Sequence, residues 1–425
     1  MAISKREKRE ESKGAMMVKR VSAIALALLM ALSMCSIMVA AFPETAACDE
    51  GGTAEWGYYN YGGYGYTDLN AAYYYYLFSA EDNRDLRFEF SGEFPHARYM
   101  SFTLYDENQL PVDALLDVDI NPDPWNRNPF RPGVDRAATN RSYTVQMVPE
   151  GSTHTGEPNT LVIPGEVKTA VLLMRVYLPD DGQPPDGGVG MPATSTFYDA
   201  TGQPAPAPPW MDESEYGDKS IAELLEMQVN VWAYRDALSP YVESWRFDES
   251  YFMPQYGSPY TYTSLDYYPE RGDIAVMRFR APTFTDTSGG GGAFTGEEDV
   301  RYFSVSVAAS WTTITQCTIN DSELTIDEDG FVNLVIGAPR WLANRAKSKG
   351  WNVLPMDLDQ KPMVVFRQML PRDDFEGSFI GLPEIDIFVP PEQSGALEKA
   401  ASLFIGDWAL QGDYCTRREF RRMLR

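Results

Sequence analysis

Short segments in which apolar and polar residues alternate follow one another along residues 56–390. They are rich in Val, Tyr, Phe and Thr and are separated by Gly, Pro, Asn and Asp, which is typical of short strands joined by turns. The clearest segments are 87–90, 99–104, 142–148, 170–178, 274–279, 302–307, 331–336 and 363–366. Because alternation buries one face of each strand, the pattern predicts a mainly β protein built from sandwiches or barrels.

Four sequence fragments recur in the same order in the two halves of the chain. The recurrences pair residues 67–70 with 263–266, 88–94 with 279–284, 97–104 with 300–307 and 175–179 with 367–371. The conserved order of the fragments indicates an internal duplication. The sequence therefore predicts two tandem β-sandwich or jelly-roll-like domains, a linking helix and C-terminal helices.

Proline and helical patterns divide the chain between and after these repeats. Residues 204–209 hold four prolines and predict an extended linker. Ser220 with Glu223 forms a capping box ahead of an apolar helical stripe, and Thr416 with Glu419 forms another near the end of the chain. Residues 395–410 also predict a helix. The resulting division is an N-terminal segment at 1–47, a first repeat at 48–203, a linker and helix at 204–260, a second repeat at 261–390 and C-terminal helices at 391–425.

The N-terminal segment has the features of a secretory signal. Lys19 and Arg20 precede an uncharged apolar run at 21–42 that ends in small residues. An uncleaved membrane anchor and a lipoprotein, with the lipid on Cys35 or Cys48, are the alternatives. Each of them predicts an exported protein that is periplasmic, attached to the cell surface or secreted.

The charge balance limits the partners of the folded body. The chain of 425 residues has a formal net charge of −25, and residues 48–425 carry 29 Lys and Arg against 57 Asp and Glu. Such a surface repels phosphate backbones, so nucleic acid is not an expected partner. Contact with a membrane is expected only through an N-terminal anchor or lipid.

Two cysteines, Cys317 and Cys415, remain in the folded body. An exported protein reaches an oxidising compartment, so the sequence predicts a disulfide between them that ties the C-terminal segment to the second repeat. The alternative is two separate thiols.

Several strings resemble those of known proteins when they are taken together. They are Phe94-Pro95 with 97–102, Tyr105-Asp106, 122–124, 128–133, 141–145, 175–180 and 187–192, and in the second half Arg367, 369–371 and Phe375. Jointly they resemble a group of exported bacterial proteins of unknown activity and, more distantly, the domain of unknown function 1214, a jelly-roll-like β module. The resemblance covers most of residues 85–380 and implies a β fold and export, without implying an activity.

Alternating oxygen ligands make the stretch Asp117, Asp119, Asn121 and Asp123 a candidate calcium site. It is not an EF-hand, because Pro122 and Asn128 stand where that loop needs Gly and Glu. The alternative is a strand end that runs into a turn. Calcium is therefore the one metal that the sequence suggests.

An aromatic tract opens the first repeat and is a candidate ligand surface. It contains Trp56, Tyr58, Tyr59, Tyr61, Tyr64 and Tyr66, followed by Tyr at 73–76. Aromatic faces stack on sugar rings, and exposed aromatic patches often bind ligands. The alternative is a strand and its approach whose rings cover the sandwich.

Arginines stand at equivalent places in the repeats, Arg98 with Arg301 and Arg175 with Arg367. A guanidinium can hold a carboxylate ligand through two hydrogen bonds, which makes Arg98 and Arg301 candidate ligand-binding residues. The alternative is a structural ion pair with a neighbouring Asp or Glu.

No catalytic motif is present in the sequence. The leading functional hypothesis is therefore a non-catalytic cell-envelope protein that binds a glycan. A carboxylate-based hydrolase acting on sugars is the first alternative, since it needs only two placed acids. A structural envelope component without a small ligand is the second.

Overall fold

The computed structural model describes residues 56–59, 63, 65–209, 211, 221–248, 253–289 and 291–425, of which Tyr59 and 221–228 are described by their backbone alone. The predicted signal and anchor segment at 1–47 lies outside the described residues. In the described part of the chain, no helix combines the length and apolarity needed to cross a membrane.

The first half of the chain forms two sheets. One has the strand order β1-β2-β8-β4-β5 and the other the order β7-β6-β3-β9. Their strands are β1 (Gly57–Tyr59), β2 (Ala71–Ser79), β3 (Leu86–Glu93), β4 (Ala97–Tyr105), β5 (Pro111–Leu116), β6 (Ser142–Pro149), β7 (Thr160–Ile163), β8 (Thr169–Pro179) and β9 (Ala193–Tyr198).

The second half repeats these two sheets and adds a short strand pair. The orders are β11-β17-β13-β14 and β16-β15-β12-β19, with β10 paired to β18. Its strands are β10 (Arg246–Phe247), β11 (Tyr260–Ser264), β12 (Ile274–Arg280), β13 (Tyr302–Ala309), β14 (Thr315–Asn320), β15 (Phe331–Ile336), β16 (Asn352–Leu354), β17 (Pro362–Met369), β18 (Glu384–Ile385) and β19 (Gln411–Cys415). Both halves even share a parallel edge pair, β6 with β7 and β15 with β16. The mainly β architecture is therefore as predicted, while the origin of the halves by duplication stays a prediction.

The four sheets stack as layers, with one core between each neighbouring pair. One apolar cluster fills the sandwich of the first half and includes Phe88 and Phe102. A second fills the sandwich of the second half and includes Phe279 and Phe366. A third, rich in tyrosine, lies between the β2-β8-β4 sheet and the β17-β13 sheet. The two halves consequently meet through their central sheets.

This stacking changes the burial expected for the central strands. The alternating pattern predicts one buried face per strand, but every residue of β4 and of β17 is buried. Met100 and Phe102 of β4 pack in their own sandwich, as does Phe366 of β17. Tyr99 of β4 and Met369 of β17 pack in the cluster between the halves. The interface between the halves is thus a polar and aromatic layer, in which each buried polar group needs a partner.

Helices occupy the outer surfaces. They are α1 (Ile221–Leu238), α2 (Arg340–Lys347), α3 (Ser402–Ile405) and α4 (Arg417–Met423), with 3₁₀ turns at Glu81–Asn83, Leu358–Gln360, Ala396–Lys399 and Gly406–Trp408. Helix α1 confirms the helix predicted after the linker, although Ser220 lies outside the described residues. The capping box of Thr416 and Glu419 is present at the start of α4.

The long helix predicted at 395–410 is wrong. The segment forms short turns instead, because Ala400 is extended (ψ 132°) and Gly406 has a positive φ of 54°, and both interrupt a helix. The chain then enters β19, which completes the outer sheet of the second half beside β12.

The predicted disulfide is also wrong, since Cys317 and Cys415 are both free thiols. They lie in different sheets of the second sandwich, Cys317 against its inner core and Cys415 in the outer cluster beneath α2 and α4. Burial raises the pKa of the Cys317 thiol to about 11 and that of Cys415 to about 12. Both thiols are therefore protonated and packed as apolar groups.

Candidate functional site

Arg98 of the first half is engaged by an acid of the second half. Its guanidinium is fully buried, and Nη1 lies 2.9 Å from both carboxylate oxygens of Asp321. Nε donates to Thr287 (2.6 Å), and Nη2 donates to Ser322 (2.8 Å). Nη2 also contacts Asp286 at 3.3 Å, so all five N–H groups of the guanidinium have partners. Arg98 is therefore a structural ion-pair residue and not the predicted ligand-binding residue.

Arg301 of the second half makes the reciprocal contact. Nη1 donates to Asp117 of the first half at 3.1 Å, and Nη2 donates to the carbonyl of Phe130 at 2.9 Å. Arg301 also lies over the ring of Phe294, with its guanidinium carbon 3.9 Å from the ring centroid. Its predicted role in ligand binding is therefore replaced by a second structural ion pair.

The two acids hold matching places. Asp117 directly follows β5 and Asp321 directly follows β14, and each accepts a backbone N–H from the neighbouring strand, from Met100 and Phe303 respectively. Burial raises the pKa of each carboxyl group to about 6, against the lowering effect of the arginine beside it. Each half therefore supplies one buried acid and one buried arginine to the other.

The predicted calcium site is not formed by these residues. Asp117 is buried against Arg301, whereas Asp119 and Asn121 are exposed and Asn121 accepts a hydrogen bond from Arg131 (2.8 Å). The alternation fails because the four residues leave β5 and enter a turn rather than continuing as a strand. In the described residues, no group of three or more His, Cys, Asp or Glu is placed to hold a metal ion.

The aromatic tract does not form one exposed surface in the described residues. Trp56 packs into the first sandwich core beside Phe90 and donates from Nε1 to the carbonyl of Pro192 (3.0 Å). Tyr66 is buried against the second half. Tyr58 is exposed and lies beside Tyr74, with ring centroids 5.0 Å apart. The part of the tract whose side chains are described is therefore mainly structural.

Tyr61 and Tyr64 lie outside the described residues, and Tyr59 is described by its backbone alone. Their predicted contact with a ligand stays a prediction.

A cavity of about 60 Å³ lies where the two central sheets meet. Its lining residues come from both halves and include two arginines and five tyrosines. They are Gly65, Tyr66, Thr67, Tyr73, Arg175, Tyr177, Met253, Pro254, Tyr260, Tyr262 and Arg367. No Asp or Glu stands among these residues. The cavity has room for a few waters or for one small oxyanion or carboxylate group.

Arg175 and Arg367 reach this cavity from equivalent positions. Arg175 stands opposite Tyr73 in the β2–β8 register, and Arg367 stands opposite Tyr260 in the β11–β17 register. Each guanidinium lies over the ring of that tyrosine, 6.0 Å and 5.3 Å from the centroid. The paired arginines predicted from the repeat therefore converge on one place.

Backbone carbonyls hold both guanidinium groups. Arg175 donates to the carbonyl of Met253 (2.8 Å), and Arg367 donates to the carbonyl of Tyr66. Met253 and Tyr66 share a left-handed backbone angle, φ 55°, that is uncommon for residues other than glycine. Two loops thus adopt the same strained turn to present an oxygen to an arginine.

The two halves differ at the residue two positions after Tyr66 and Met253. In the first half this residue is Asp68, which accepts hydrogen bonds from the hydroxyls of Tyr302 (2.8 Å) and Ser304 (2.6 Å). At the matching place stands Gln255, whose Nε2 donates to the hydroxyl of Tyr99 (2.5 Å). One half therefore supplies a buried carboxylate where the other supplies a neutral amide.

Because Gln255 replaces an acid at the place that Asp68 holds in the other half, the buried Arg175 is left without a nearby carboxylate in the described residues. Arg367 lies 4.0 Å from Asp68. Arg175 is 3% exposed, and its polar partners in the described part of the chain are Thr103, Tyr105 and the Met253 carbonyl, all neutral. A buried guanidinium without an anion is costly, because desolvation is not repaid by attraction to an opposite charge.

The sequence predicts both arginine pairs, and both occupy matching places in the two halves. Arg98 and Arg301, the predicted ligand-binding residues, form ion pairs. Arg175 and Arg367 line the cavity. What distinguishes Arg98 and Arg301 is an ion pair with the acid that follows β14 or β5. Both acids, Asp117 and Asp321, can be found in the sequence. That each of them pairs with the arginine of the other half is visible only in the fold.

Comparison with solved structures supports the fold. The chain matches the crystal structure of an uncharacterized protein from Burkholderia cenocepacia with a TM-score of 0.51 and 14% identity, over 83% of this chain and 86% of that one. It also matches a protein from Vibrio parahaemolyticus with a TM-score of 0.40 and 11% identity, over 73% of this chain and 86% of that one. No family model and no curated protein matches the chain. The first likeness shows a shared mainly β fold over most of the chain.

Proposed function

We propose that this protein is a non-catalytic binding protein that holds a small oxyanion or the carboxylate group of a larger ligand in the cavity between its halves. The observation that carries the proposal is the buried guanidinium of Arg175, which faces a cavity and whose partners among the described residues are all neutral. An anion in the cavity would pair with Arg175 and offset its desolvation.

The shape of the cavity favours a ligand that enters by one end. Arg175, Arg367 and Tyr177 are buried, whereas Gly65, Thr67, Met253, Tyr260 and Tyr262 are partly exposed. A carboxylate would lie at the arginines, and the rest of the ligand would extend past the tyrosines of the mouth. An acidic sugar has this form, so the envelope glycan predicted from the sequence is retained as a uronic acid or a similar group.

Binding is favoured over hydrolysis by the residues of the cavity. A carboxylate-based glycosidase places two acids on either side of the bond that it cleaves. The residues that line this cavity supply cations and hydroxyl groups. Such groups stabilise a bound anion but do not protonate a leaving group at neutral pH.

Arg175→Met should remove the response of the protein to anions. In the unchanged protein, acetate, phosphate or glucuronate should raise the melting temperature with the logarithm of concentration, since the ligand binds only the folded state. Glucose is the neutral control that separates charge from sugar recognition. The variant should keep a melting temperature near or above that of the unliganded protein, because a buried charge without a counterion has been removed.

The matched control is Arg278→Met on the outer sheet, where the side chain is 47% exposed and pairs with Asp327. It should respond to anions as the unchanged protein does. An anion shift that persists in Arg175→Met, or no shift with any anion, would contradict the proposal.

Gln255→Glu provides a test that does not remove an arginine. The new carboxylate would occupy the place that Asp68 holds in the other half and would accept hydrogen bonds from Tyr99 and Ser101, which now contact the amide. It should raise the melting temperature without ligand and weaken the anion response, because Arg175 gains an internal counterion. A lower melting temperature with an undiminished anion response would show that Arg175 needs no counterion.

A further inference from the structure

A basic surface stands on the outer side of the second half. It consists of Arg340, Arg345, Lys347, Lys349, Arg417, Arg418, Arg421, Arg422 and Arg425, all of them exposed. These nine residues are a quarter of the 36 Lys and Arg in a chain whose net charge is −25. The segments that carry them, 340–349 and 417–425, contain one acid, Glu419.

Helices α2 and α4 bring these cations together. Leu342 and Ala346 of α2 and Phe420 and Leu424 of α4 are buried in one cluster against the outer sheet. Because the inner faces of both helices pack on the same cluster, their outer faces lie side by side. The basic surface is therefore a product of the fold and continuous across two helices.

Interactions within the protein account for only part of this concentration of charge. Arg417 donates to Asp273 (2.6 Å), while the described residues give the other eight cations no ion pair. Four cations stand in the last turns of the helices, where the helix dipole favours them, but Arg340, Arg417 and Arg418 stand in the first turns, where it disfavours them. Glu419 is already engaged by the capping box of α4. The cations are thus arranged for an anionic partner outside the protein.

Two exposed apolar side chains identify the kind of partner. Trp341 of α2 is 56% exposed and Met423 of α4 is 53% exposed, and both lie among the cations. Cations beside exposed tryptophan are typical of helices that lie on a membrane interface, where the ring enters the headgroup layer. A nucleic acid also offers phosphates, but it has no apolar layer for Trp341 and Met423 to enter.

We propose that the basic surface docks the protein onto a membrane rich in anionic lipid, with Trp341 and Met423 entering the interface. Lipid phosphates would neutralise the cations, and the acidic remainder of the chain would face away from the bilayer. This docking surface is distinct from the cavity between the halves and does not depend on the function proposed for it.

The test is hydrogen–deuterium exchange of the full chain with vesicles of phosphatidylcholine alone and of phosphatidylcholine mixed with phosphatidylglycerol. Exchange should slow in 340–349 and 417–425 with the anionic vesicles only, and salt should reverse the effect. This local measurement stays informative even if the apolar run at 21–42 inserts into every vesicle. Equal exchange with both kinds of vesicle would overturn the proposal.

Charge reversal supplies the matched variants. Arg418→Glu with Arg421→Glu and Arg422→Glu should lower the charge-dependent part of vesicle binding by about tenfold or more, whereas the three Lys replacements should retain it. Lys347→Glu with Lys349→Glu tests the other helix in case the first set loosens α4. Binding that all reversals leave unchanged would overturn the proposal. Slower exchange of the same segments with duplex DNA, or with rising protein concentration and no vesicles, in place of an effect of anionic vesicles would overturn it too.

Discussion

Arg98→Met should lower the free energy of unfolding by about 3–5 kcal/mol. The change removes the cation that lies 2.9 Å from both carboxylate oxygens of Asp321, in a place where neither side chain is exposed. The buried carboxylate would then have to lose its charge or draw in water. Urea unfolding at neutral pH measures the loss as a lower midpoint with an unchanged slope.

The double variant Arg98→Met with Asp321→Asn is the control. It removes the orphaned charge, and the Asn oxygen can still accept the backbone N–H of Phe303 that Asp321 now accepts (3.1 Å). Most of the lost stability should return, so the two changes should be far from additive. Additive losses would mean that Arg98 stabilises the fold through its other contacts and not through Asp321.

Phe366→Ala should be destabilising by about 3–5 kcal/mol through loss of apolar contact and the cavity that remains. Phe366 lies in the central strand β17 and is 1% exposed. Its ring centroid lies 4.4 Å from that of Phe279 and 4.9 Å from that of Phe379, so both sheets of the second half and the loop between β17 and β18 meet on this side chain. Thermal and urea unfolding should agree on the size of the effect.

Phe404→Ala is the matched change at a phenylalanine that is 55% exposed. It should alter the free energy of unfolding by less than about 0.5 kcal/mol. Similar losses for the two variants would show that the second core is loosely packed and collapses around the deletion.

The sequence was sufficient for the class of fold and for the equivalence of its arginines. Strand alternation and turn residues predicted a mainly β chain, and Arg98 with Arg301 and Arg175 with Arg367 do occupy matching places in the two halves. These predictions succeeded because hydrophobic periodicity and local repeats are properties of contiguous segments.

One predicted repeat was placed in the wrong register. The sequence pairs residues 67–70 with 263–266. In the structure Tyr73 and Tyr260 hold equivalent places, so Gln255 is the counterpart of Asp68, five residues earlier in each half. The true partner was missed because Asp68 and Gln255 differ in chemistry. Because Gln255 stands where Asp68 stands in the other half, Arg175 has no carboxylate partner in the described residues. A comparison of the two repeats by sequence similarity therefore misses the position that matters most to the candidate site.

The packing between sheets was not predictable from the chain alone. Alternation indicates which residues share a face, but it does not say whether the second face meets water or another sheet. The same limit explains the disulfide, since Cys317 and Cys415 are in one half but on different sides of its outer sheet. Both the burial of the second strand face and the pairing of cysteines depend on how segments distant in the sequence pack together.

The reciprocal contacts of Arg98 with Asp321 and of Arg301 with Asp117 have a consequence for biosynthesis. Ribosomes make the first half before the counterions of Arg98 and Asp117 exist. That half can form its own strands early, but its central sheet carries charges that only the later half can neutralise. The first half therefore completes its packing only after the second half has been synthesised and has folded against it.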